Sequence, residues 1–272
     1  MQSPTISLND GRAIPQLGLG VWQIPNDETS AVVRAALDVG YRSIDTAALY
    51  HNEEGVGRAV REGGVSRDEL FVTTKLWQDR HHDAERAFDE SLRRLGLDHV
   101  DLYLIHWPAP GQNRYVEAWR SLVRLRESGR ARSVGVSNFN VDHLERIIDA
   151  TGVVPAVNQV ELHPRFQQRA LRAFHEQRGI ATEAWSPLGQ GEVLRDPTVG
   201  EIARTHGRTP AQVVIRWHLD SGLVVIPKSV HAKRLRENFE SLDFGLGEDD
   251  MRRIASLDRR DGRMGLDPAT FG

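Results

Sequence analysis

The chain alternates between short apolar segments and segments with helical spacing, and this alternation constrains the fold more than any other feature. Counting from Leu17, eight apolar runs are each followed by a segment whose apolar residues recur every three or four positions. Strands that alternate with helices form parallel sheets with the helices packed outside. Eight such units in about 250 residues predict a closed (β/α)8 barrel of the TIM type. We expect one α/β domain over residues 1–272.

The segment boundaries follow from the same pattern. A β-hairpin over residues 6–14, which turns at Asn9-Asp10-Gly11, is expected before the barrel. We predict barrel strands at residues 17–22, 42–44, 70–77, 100–107, 131–139, 156–161, 180–185 and 223–228. We predict helices at residues 29–39, 83–95, 115–128, 141–150, 168–178, 199–205, 210–219 and 233–239, with an extra C-terminal helix at 248–257. The polar, glycine-bearing segment after Tyr50 is expected to open a further helix. A doubly wound sheet is the main rival, but Gly18-Leu19-Gly20-Val21-Trp22-Gln23 lacks the third glycine of its dinucleotide-binding turn.

Composition excludes several classes of function. The net charge of −3 and the pI near 6.4 argue against nucleic acid as a partner. The chain has no cysteine, which rules out disulfides and thiol catalysis. Its start resembles no secretory signal, and its apolar runs are too short to span a membrane. We therefore expect a cytoplasmic protein without a membrane partner, and a monomer.

Ionisable residues end the predicted strands, where barrels place their functional groups. Asp45, Lys75 and His106 follow the second, third and fourth strands, and Tyr50 comes five residues after Asp45. Each residue alone has a simpler explanation. Asp45 could cap a turn, Lys75 could be a surface lysine, His106 a hydrogen-bonded core histidine, and Tyr50 a packing residue. Their occurrence at successive strand ends favours a shared site.

The chemistry of these four residues suits carbonyl reduction. A free tyrosine has a pKa of about 10, and we expect an adjacent lysine ammonium to lower it. Asp45 would hold Lys75 charged, and His106 would hydrogen-bond a carbonyl oxygen. The set suits proton donation to a carbonyl that accepts hydride, and it lacks an activated nucleophile for acyl transfer.

Two further segments and one tryptophan are candidates for ligand binding. His81-His82-Asp83 is interpreted as a solvated helix start, so no metal site is predicted. Lys228, Ser229 and Arg234 follow the last strand, where barrels often bind phosphate at a helix N-terminus. Trp185 ends the seventh strand and offers a flat surface for a nicotinamide ring, although barrel packing would equally explain it.

Three motifs resemble those of the aldo-keto reductases. They are residues 40–57 with Asp45-Thr46-Ala47, residues 134–139 (Val-Gly-Val-Ser-Asn-Phe), and Ile226-Pro227-Lys228-Ser229 with Arg234 and Glu237-Asn238. They are long, widely separated and in the family order. Residues 155–164 and 188–191 look most like the bacterial 2,5-diketo-D-gluconate reductase type.

This resemblance implies a function and a site. It implies a catalytic tetrad of Asp45, Tyr50, Lys75 and His106, and NADPH bound across the barrel mouth. The implied cofactor-binding residues are Gly20, Val21, Trp22, Ser137, Asn138, Gln159, Trp185, Ser186, Leu188, Gln190, Lys228, Ser229, Val230, His231, Arg234, Glu237 and Asn238. The implied walls of the substrate pocket are Trp22, Trp77 and Trp107. At His231, relatives often carry a stronger base or a hydroxyl, so NADH is expected to serve as a weaker substitute.

We therefore expect a reversible NADPH-dependent reductase of aldehydes and ketones. Keto-sugar acids, small aldehydes, dicarbonyls and α-keto esters are candidate substrates. Two alternatives stay open at this point. One is an aldolase barrel in which Lys75 forms a Schiff base, and the other is a noncatalytic nucleotide-binding protein on the same scaffold.

Overall fold

An eight-stranded parallel sheet forms the centre of the structure, a computed structural model that describes residues 3–272. Its strands pair in chain order: β3 (Leu19–Gly20), β4 (Ser43–Asp45), β5 (Phe71–Leu76), β6 (Val100–Ile105), β7 (Ala131–Ser137), β8 (Val157–Glu161), β9 (Ala181–Trp185) and β10 (Val224–Val225). A parallel bridge between Leu17 and Val225 joins the first strand to the last. The Val225 N–H donates to the Gln16 carbonyl at 2.8 Å, and the Gly18 N–H donates to the Val225 carbonyl at 2.9 Å. The predicted (β/α)8 barrel is confirmed.

The predicted hairpin is also confirmed. Strands β1 (Thr5–Ser7) and β2 (Ala13–Pro15) pair antiparallel ahead of the barrel. Leu8 and Ile14 are buried in one cluster with Leu102, Leu104 and barrel residues of neighbouring strands. The hairpin therefore covers one end of the barrel with apolar side chains and leaves the carboxyl ends of the strands open.

Helices follow the barrel strands as the alternation predicts. They are α1 (Asn26–Val39), α2 (Glu53–Glu62), α3 (Ala84–Leu95), α4 (Tyr115–Glu127), α5 (Val141–Thr151), α6 (Arg169–Arg178), α7 (Pro197–His206), α8 (Pro210–Asp220), α9 (Ala232–Phe239) and α10 (Glu248–Ala255). Helix α1 begins three residues before the predicted start because Asp27 and Glu28 favour its first turn after Pro25. Within residues 3–272, no helix has both the length and the apolar character to cross a membrane.

The helices pack closely against one another and against the outer face of the barrel. Phe88 of α3 contacts the ring of Tyr103 on β6, with 4.6 Å between the ring centroids. Gly57 of α2 lies so near α3 that a Cβ there would be 1.8 Å from the Leu95 carbonyl oxygen. Only glycine permits this approach of the two helix backbones.

The two-residue period of the strands decides which side chains enter the barrel. On β6, Leu102 and Leu104 belong to the interior cluster, whereas Tyr103 faces the helices. The same alternation turns Lys75 of β5 inward near the carboxyl end of its strand. The interior is thus apolar near the hairpin and polar near the open end.

Candidate active site

Lys75 is the buried centre of the site. Its ammonium lies 2.5 Å from Asp45 Oδ1 and donates to the Thr46 carbonyl at 2.9 Å, and the side chain is inaccessible to solvent. Burial alone would lower the pKa of Lys75, but the Asp45 carboxylate, together with Tyr50 and Glu183, more than offsets this effect and raises the pKa above its ordinary value. Lys75 is therefore an ammonium at neutral pH.

Tyr50 lies within reach of that ammonium. It ends a short 3-10 helix, Ala48–Tyr50, after β4, and its hydroxyl accepts a hydrogen bond from Lys75 Nζ at 3.5 Å. Burial raises the pKa of Tyr50, while the positive charge of Lys75 lowers it, and the net shift is upward. Lys75 does lower the pKa of Tyr50, as expected. The expectation of a net lowering is wrong, because desolvation of the phenolate outweighs the effect of Lys75.

His106 forms the opposite side of the site. Its ring meets the Tyr50 ring edge-on with 5.6 Å between centroids, and it meets the Trp77 ring at 5.1 Å. Burial, with a smaller contribution from the Lys75 charge, holds the pKa of His106 well below its ordinary value. The imidazole is therefore uncharged at neutral pH, and one of its ring nitrogens carries a proton that it can donate.

A hydrogen-bonded layer positions these groups from β7, β8 and β9. Asn138 donates to the His106 carbonyl at 3.0 Å and accepts from Trp185 Nε1 at 2.8 Å. Ser137 donates to the Gln159 carbonyl at 2.8 Å. Gln159 Nε2 donates to Asp45 Oδ2, also at 2.8 Å. Four of the predicted cofactor-binding residues thus contact one another and two members of the proposed tetrad.

Glu183 also belongs to this layer, although it is not among the site residues predicted from the sequence. The same Gln159 nitrogen donates to Glu183 Oε2 at 2.8 Å, and Glu183 is buried. Burial, together with the Asp45 charge, raises the pKa of Glu183 from 4.5 to about 8. A carboxylate between Thr182 and Ala184, inside a predicted barrel strand, was the signal that could have revealed it.

A cleft of about 320 Å³ opens above the tetrad at the carboxyl ends of the strands. The predicted residues that line it are Gly20, Trp22, Asp45, Tyr50, Trp77, His106, Trp107, Ser137, Asn138, Gln159, Trp185, Ser186, Gln190 and Lys228. The predicted residues outside its lining are Lys75, beneath the floor, and Val21, Leu188, Ser229, Val230, His231, Arg234, Glu237 and Asn238. Further lining residues, which were not predicted from the sequence, are Leu49, Pro187, Ile226, Gly265, Leu266 and Phe271.

Three of those missed residues lie in the C-terminal segment (residues 259–272). Glu161 of β8 holds this segment, because its two carboxylate oxygens accept from the Met264 N–H at 2.6 Å and the Gly265 N–H at 2.8 Å. Phe271 then packs edge-on against Trp107, with 4.8 Å between ring centroids. The irregular tail gave no periodic signal, so only the fold shows that it forms a wall of the cleft.

The segment after β10 presents basic groups beside the cleft. Lys228 and Arg234 are exposed and make no salt bridge within residues 3–272. Ser229 Oγ accepts from the His231 N–H at 3.2 Å, just before α9 begins. Glu237 is occupied by Thr209, whose hydroxyl donates to it at 2.8 Å. Two free cations at a helix N-terminus are suited to an anionic ligand.

The interpretation of His81 as part of a solvated helix start is wrong. His81 lies in a 3-10 helix, Gln78–Asp83, and is buried, whereas His82 is exposed. Burial lowers the pKa of His81 to about 4, so the ring is neutral. His81 is buried near the backbone of Trp107, a residue far along the chain, which a run of two histidines and an acid does not reveal. No group of three or more His, Cys, Asp or Glu suited to a metal occurs among residues 3–272.

Comparison with known proteins decides the family. The model of the Aldo/keto reductase family matches residues 16–259. The chain belongs to the aldo/keto reductase family. The expectation drawn from the three motifs is confirmed.

Individual relatives of this aldo/keto reductase extend over its whole length. Methylglyoxal reductase DkgA of Yersinia pestis is 57% identical over 271 residues, 99% of this chain and 98% of its own. DkgA of Escherichia coli strain K12 is 54% identical and is matched over 100% of both chains. The crystal structure of a Gox0644 variant in complex with NADPH superposes with a TM-score of 0.96 at 58% identity, covering 99% of each chain. That of a Bombyx mori aldo-keto reductase in complex with NADP gives 0.89 at 38% identity, covering 95% of this chain and 94% of the other.

Proposed function

We propose that this aldo/keto reductase reduces aldehydes and ketones to alcohols with NADPH, with Tyr50 as the proton donor. One observation carries the proposal: the buried Lys75 ammonium contacts both Asp45 and the Tyr50 hydroxyl beside an uncharged His106. This arrangement places the Tyr50 hydroxyl, as a proton donor, and the His106 ring, as a hydrogen-bond donor, at the base of a cleft that is open to small molecules.

Each residue of the tetrad has a distinct role. Burial keeps the Tyr50 phenol protonated before reaction, so the proton is available for the carbonyl oxygen. Lys75 then stabilises the phenolate that forms, and Asp45 keeps Lys75 charged and fixed in direction. His106 donates a hydrogen bond to the same carbonyl oxygen and orients it. In the reverse direction, the Tyr50 phenolate accepts the proton of an alcohol.

The residues present fit NADPH. Lys228 and Arg234 would bind its 2′-phosphate, and Trp185, which Asn138 holds in place, would lie against the nicotinamide. The other residues expected to contact it are Gly20, Val21, Trp22, Ser137, Gln159, Ser186, Leu188, Gln190, Ser229, Val230, His231, Glu237 and Asn238. Bound NADPH supplies the hydride that the carbonyl carbon receives. We propose NADH as a weaker substitute, since it lacks the phosphate that the two cations would bind.

The walls of the cleft favour small uncharged carbonyl compounds. Trp22, Trp77 and Trp107 line it with Phe271, and Lys228 is the one lysine or arginine among its described lining residues. Because Lys228 is assigned to the cofactor, no cation remains there for a substrate carboxylate. Together with the methylglyoxal reductase relatives, this favours dicarbonyls such as methylglyoxal over keto-sugar acids. We also propose a monomer, since a single chain supplies the tetrad and the cleft walls.

The structure disfavours a Schiff-base aldolase. A lysine that attacks a carbonyl must lose its proton, and such lysines have a lowered pKa. Here the Asp45 carboxylate raises the pKa of Lys75. Borohydride trapping of a carbonyl compound on Lys75 would revive the aldolase.

The proposed function is tested by NADPH oxidation over a panel of carbonyl compounds, repeated with NADH. We expect methylglyoxal and small aldehydes to be reduced with a larger kcat/KM than keto-sugar acids, and NADPH to be preferred over NADH. Cofactor binding without turnover of any compound would instead support a noncatalytic nucleotide-binding protein.

A further inference from the structure

Glu183 is a buried acid beside the tetrad that the four catalytic roles leave unused. It lies on β9 in register with Gln159 of β8 and Val224 of β10. Its carboxyl oxygen Oε2 accepts from Gln159 Nε2, and that same nitrogen donates to Asp45. The Gln159 amide therefore joins the two carboxyl groups directly beneath the cleft.

When Glu183 and Asp45 are both ionised, the negative charges around them outnumber the positive ones. The titratable groups that face it are Asp45 on β4, Lys75 on β5 and Tyr50 in the loop after β4. Its strand neighbours Gln159 and Val224 carry no charge. Lys75 is therefore the only cation among these groups, and Asp45 already neutralises it at 2.5 Å. Ionisation of Glu183 adds a negative charge to the interior without a partner.

We propose that Glu183 is a positioning residue that acts on Tyr50 through its charge, so that ionised Glu183 holds Tyr50 in the protonated form. The inference rests on the proposed role of Tyr50 as proton donor. Protonated Tyr50 serves carbonyl reduction, and the phenolate serves alcohol oxidation. Glu183 therefore extends reduction to alkaline pH and suppresses the reverse reaction there.

The direction of each interaction agrees with this role. Burial and Asp45 raise the pKa of Glu183 to about 8, so the side chain is uncharged below that pH and charged above it. The charge of Glu183 raises the pKa of Tyr50 and that of Lys75. His106, on the other side of Tyr50, is held uncharged and does not oppose the effect. The influence of Glu183 is therefore confined to the alkaline range.

The variant Glu183→Gln tests the charge alone. Glutamine has the shape of a protonated glutamic acid, and its carbonyl can still accept from Gln159. Below about pH 7 we expect the same kcat/KM for reduction as in the unchanged enzyme. Above about pH 8 we expect reduction by the variant to be lost about one pH unit earlier, which corresponds to about tenfold in the protonation equilibrium of Tyr50. Glu192→Gln, which removes an exposed charge, is the matched control and should leave the profile unchanged.

Two kinetic outcomes overturn the proposal. Superimposable pH profiles would mean that Glu183 does not influence Tyr50. An equal loss of kcat/KM at every pH would mean that Glu183 only supports the structure. If the glutamine variant does not fold, as judged by circular dichroism, Glu183→Met is uncharged and should give the same alkaline shift.

A titration without turnover separates this inference from the proposed function. Ionisation of tyrosine changes its ultraviolet absorbance, and subtracting the spectra of Tyr50→Phe isolates Tyr50 from the other three tyrosines. The phenol of Tyr50 should ionise at a lower pH in Glu183→Gln than in the unchanged protein. An unshifted titration overturns the inference. If carbonyl compounds are not reduced at all, the proposed function fails, yet the titration still tests the coupling.

Discussion

At Tyr50, two opposing effects act on a single proton. Desolvation favours the neutral phenol, and the Lys75 ammonium favours the phenolate. In the resting site desolvation prevails, which keeps the proton on Tyr50. When the proton leaves, the Lys75 charge lies 3.5 Å from the oxygen on which negative charge develops. In the proposed reaction, the lysine therefore contributes most as the proton is transferred.

Replacing Tyr50 by phenylalanine tests this assignment. We expect kcat for carbonyl reduction to fall by about 100-fold to 10,000-fold, because the general acid is lost. The Kd for NADPH, measured by fluorescence titration, should stay within about twofold because binding does not use the phenol. Tyr115→Phe removes a buried phenol that lies outside the cleft lining, and it should keep normal turnover. Normal turnover in Tyr50→Phe would show that another group donates the proton.

Among the larger elements, the C-terminal segment is joined to strand β8 through Glu161. Burial would raise the pKa of Glu161, but His163 and the N–H groups of Met264 and Gly265 bring it below its ordinary value. A Cβ at Gly265 would lie 2.6 Å from the Trp185 ring, so the segment approaches that ring closely. Glu161 thereby sets the distance between one wall of the cleft and the proposed nicotinamide position.

Glu161→Gln should loosen the C-terminal segment. The amide NH2 would face one of the two backbone N–H groups, so at least one hydrogen bond of about 1 kcal/mol is lost. We expect KM for the carbonyl substrate to rise about fivefold, with kcat nearly unchanged. Hydrogen exchange should show faster exchange at Met264 and Gly265.

The pH dependence of this contact provides a second check. Because the folded pKa of Glu161 is lowered, its contribution to stability is present above about 4.5 and is lost as the pH falls through the folded value. Proteolysis of the C-terminal segment should therefore accelerate below pH 4.5 in the unchanged protein. Unchanged exchange in Glu161→Gln would show that other contacts hold the segment, such as the packing of Phe271 and the hydrogen bond from the Arg259 N–H to the Arg165 carbonyl.

Helix α9 is expected to set the choice of cofactor. Arg234→Ala would remove the proposed charge-assisted hydrogen bond to the 2′-phosphate, worth roughly 1.5 kcal/mol or more. We expect KM for NADPH to rise about tenfold while KM for NADH is unchanged. Arg236→Ala, an exposed arginine on the same helix, is the matched control. Equal effects of Arg234→Ala on both cofactors would show that this arginine does not bind the phosphate.

In the whole molecule, closure of the barrel brings the site together. Residues at the carboxyl ends of β4, β5, β6, β8 and β9 reach one point because the hydrogen bonds of Val225 with Gln16 and Gly18 complete the ring of strands. The helices outside the ring also pack closely against one another, as where Gly57 of α2 meets the Leu95 carbonyl of α3.

Gly57→Ala tests the packing of α2 against α3. The added methyl group would overlap the Leu95 carbonyl oxygen, so we expect a loss of about 1–3 kcal/mol in the free energy of unfolding, measured in urea. Gly200→Ala is the matched control, because the nearest atom to a Cβ at that position in α7 is 3.9 Å away. That variant should gain about 1 kcal/mol from helix propensity. Equal stabilisation by both substitutions would contradict the packing argument.

The sequence by itself determined the barrel, its element order and the positions of Asp45, Tyr50, Lys75 and His106. Hydrophobic periodicity and strand-end position are local properties, and both are encoded within a few neighbouring residues. Tertiary structure alone decided three other points: that Glu183 meets Asp45 through Gln159, that Phe271 walls the cleft, and that His81 is buried. It also decided the direction of the Tyr50 pKa shift. Each of these depends on desolvation and on contacts between residues far apart in the chain, which no local pattern records.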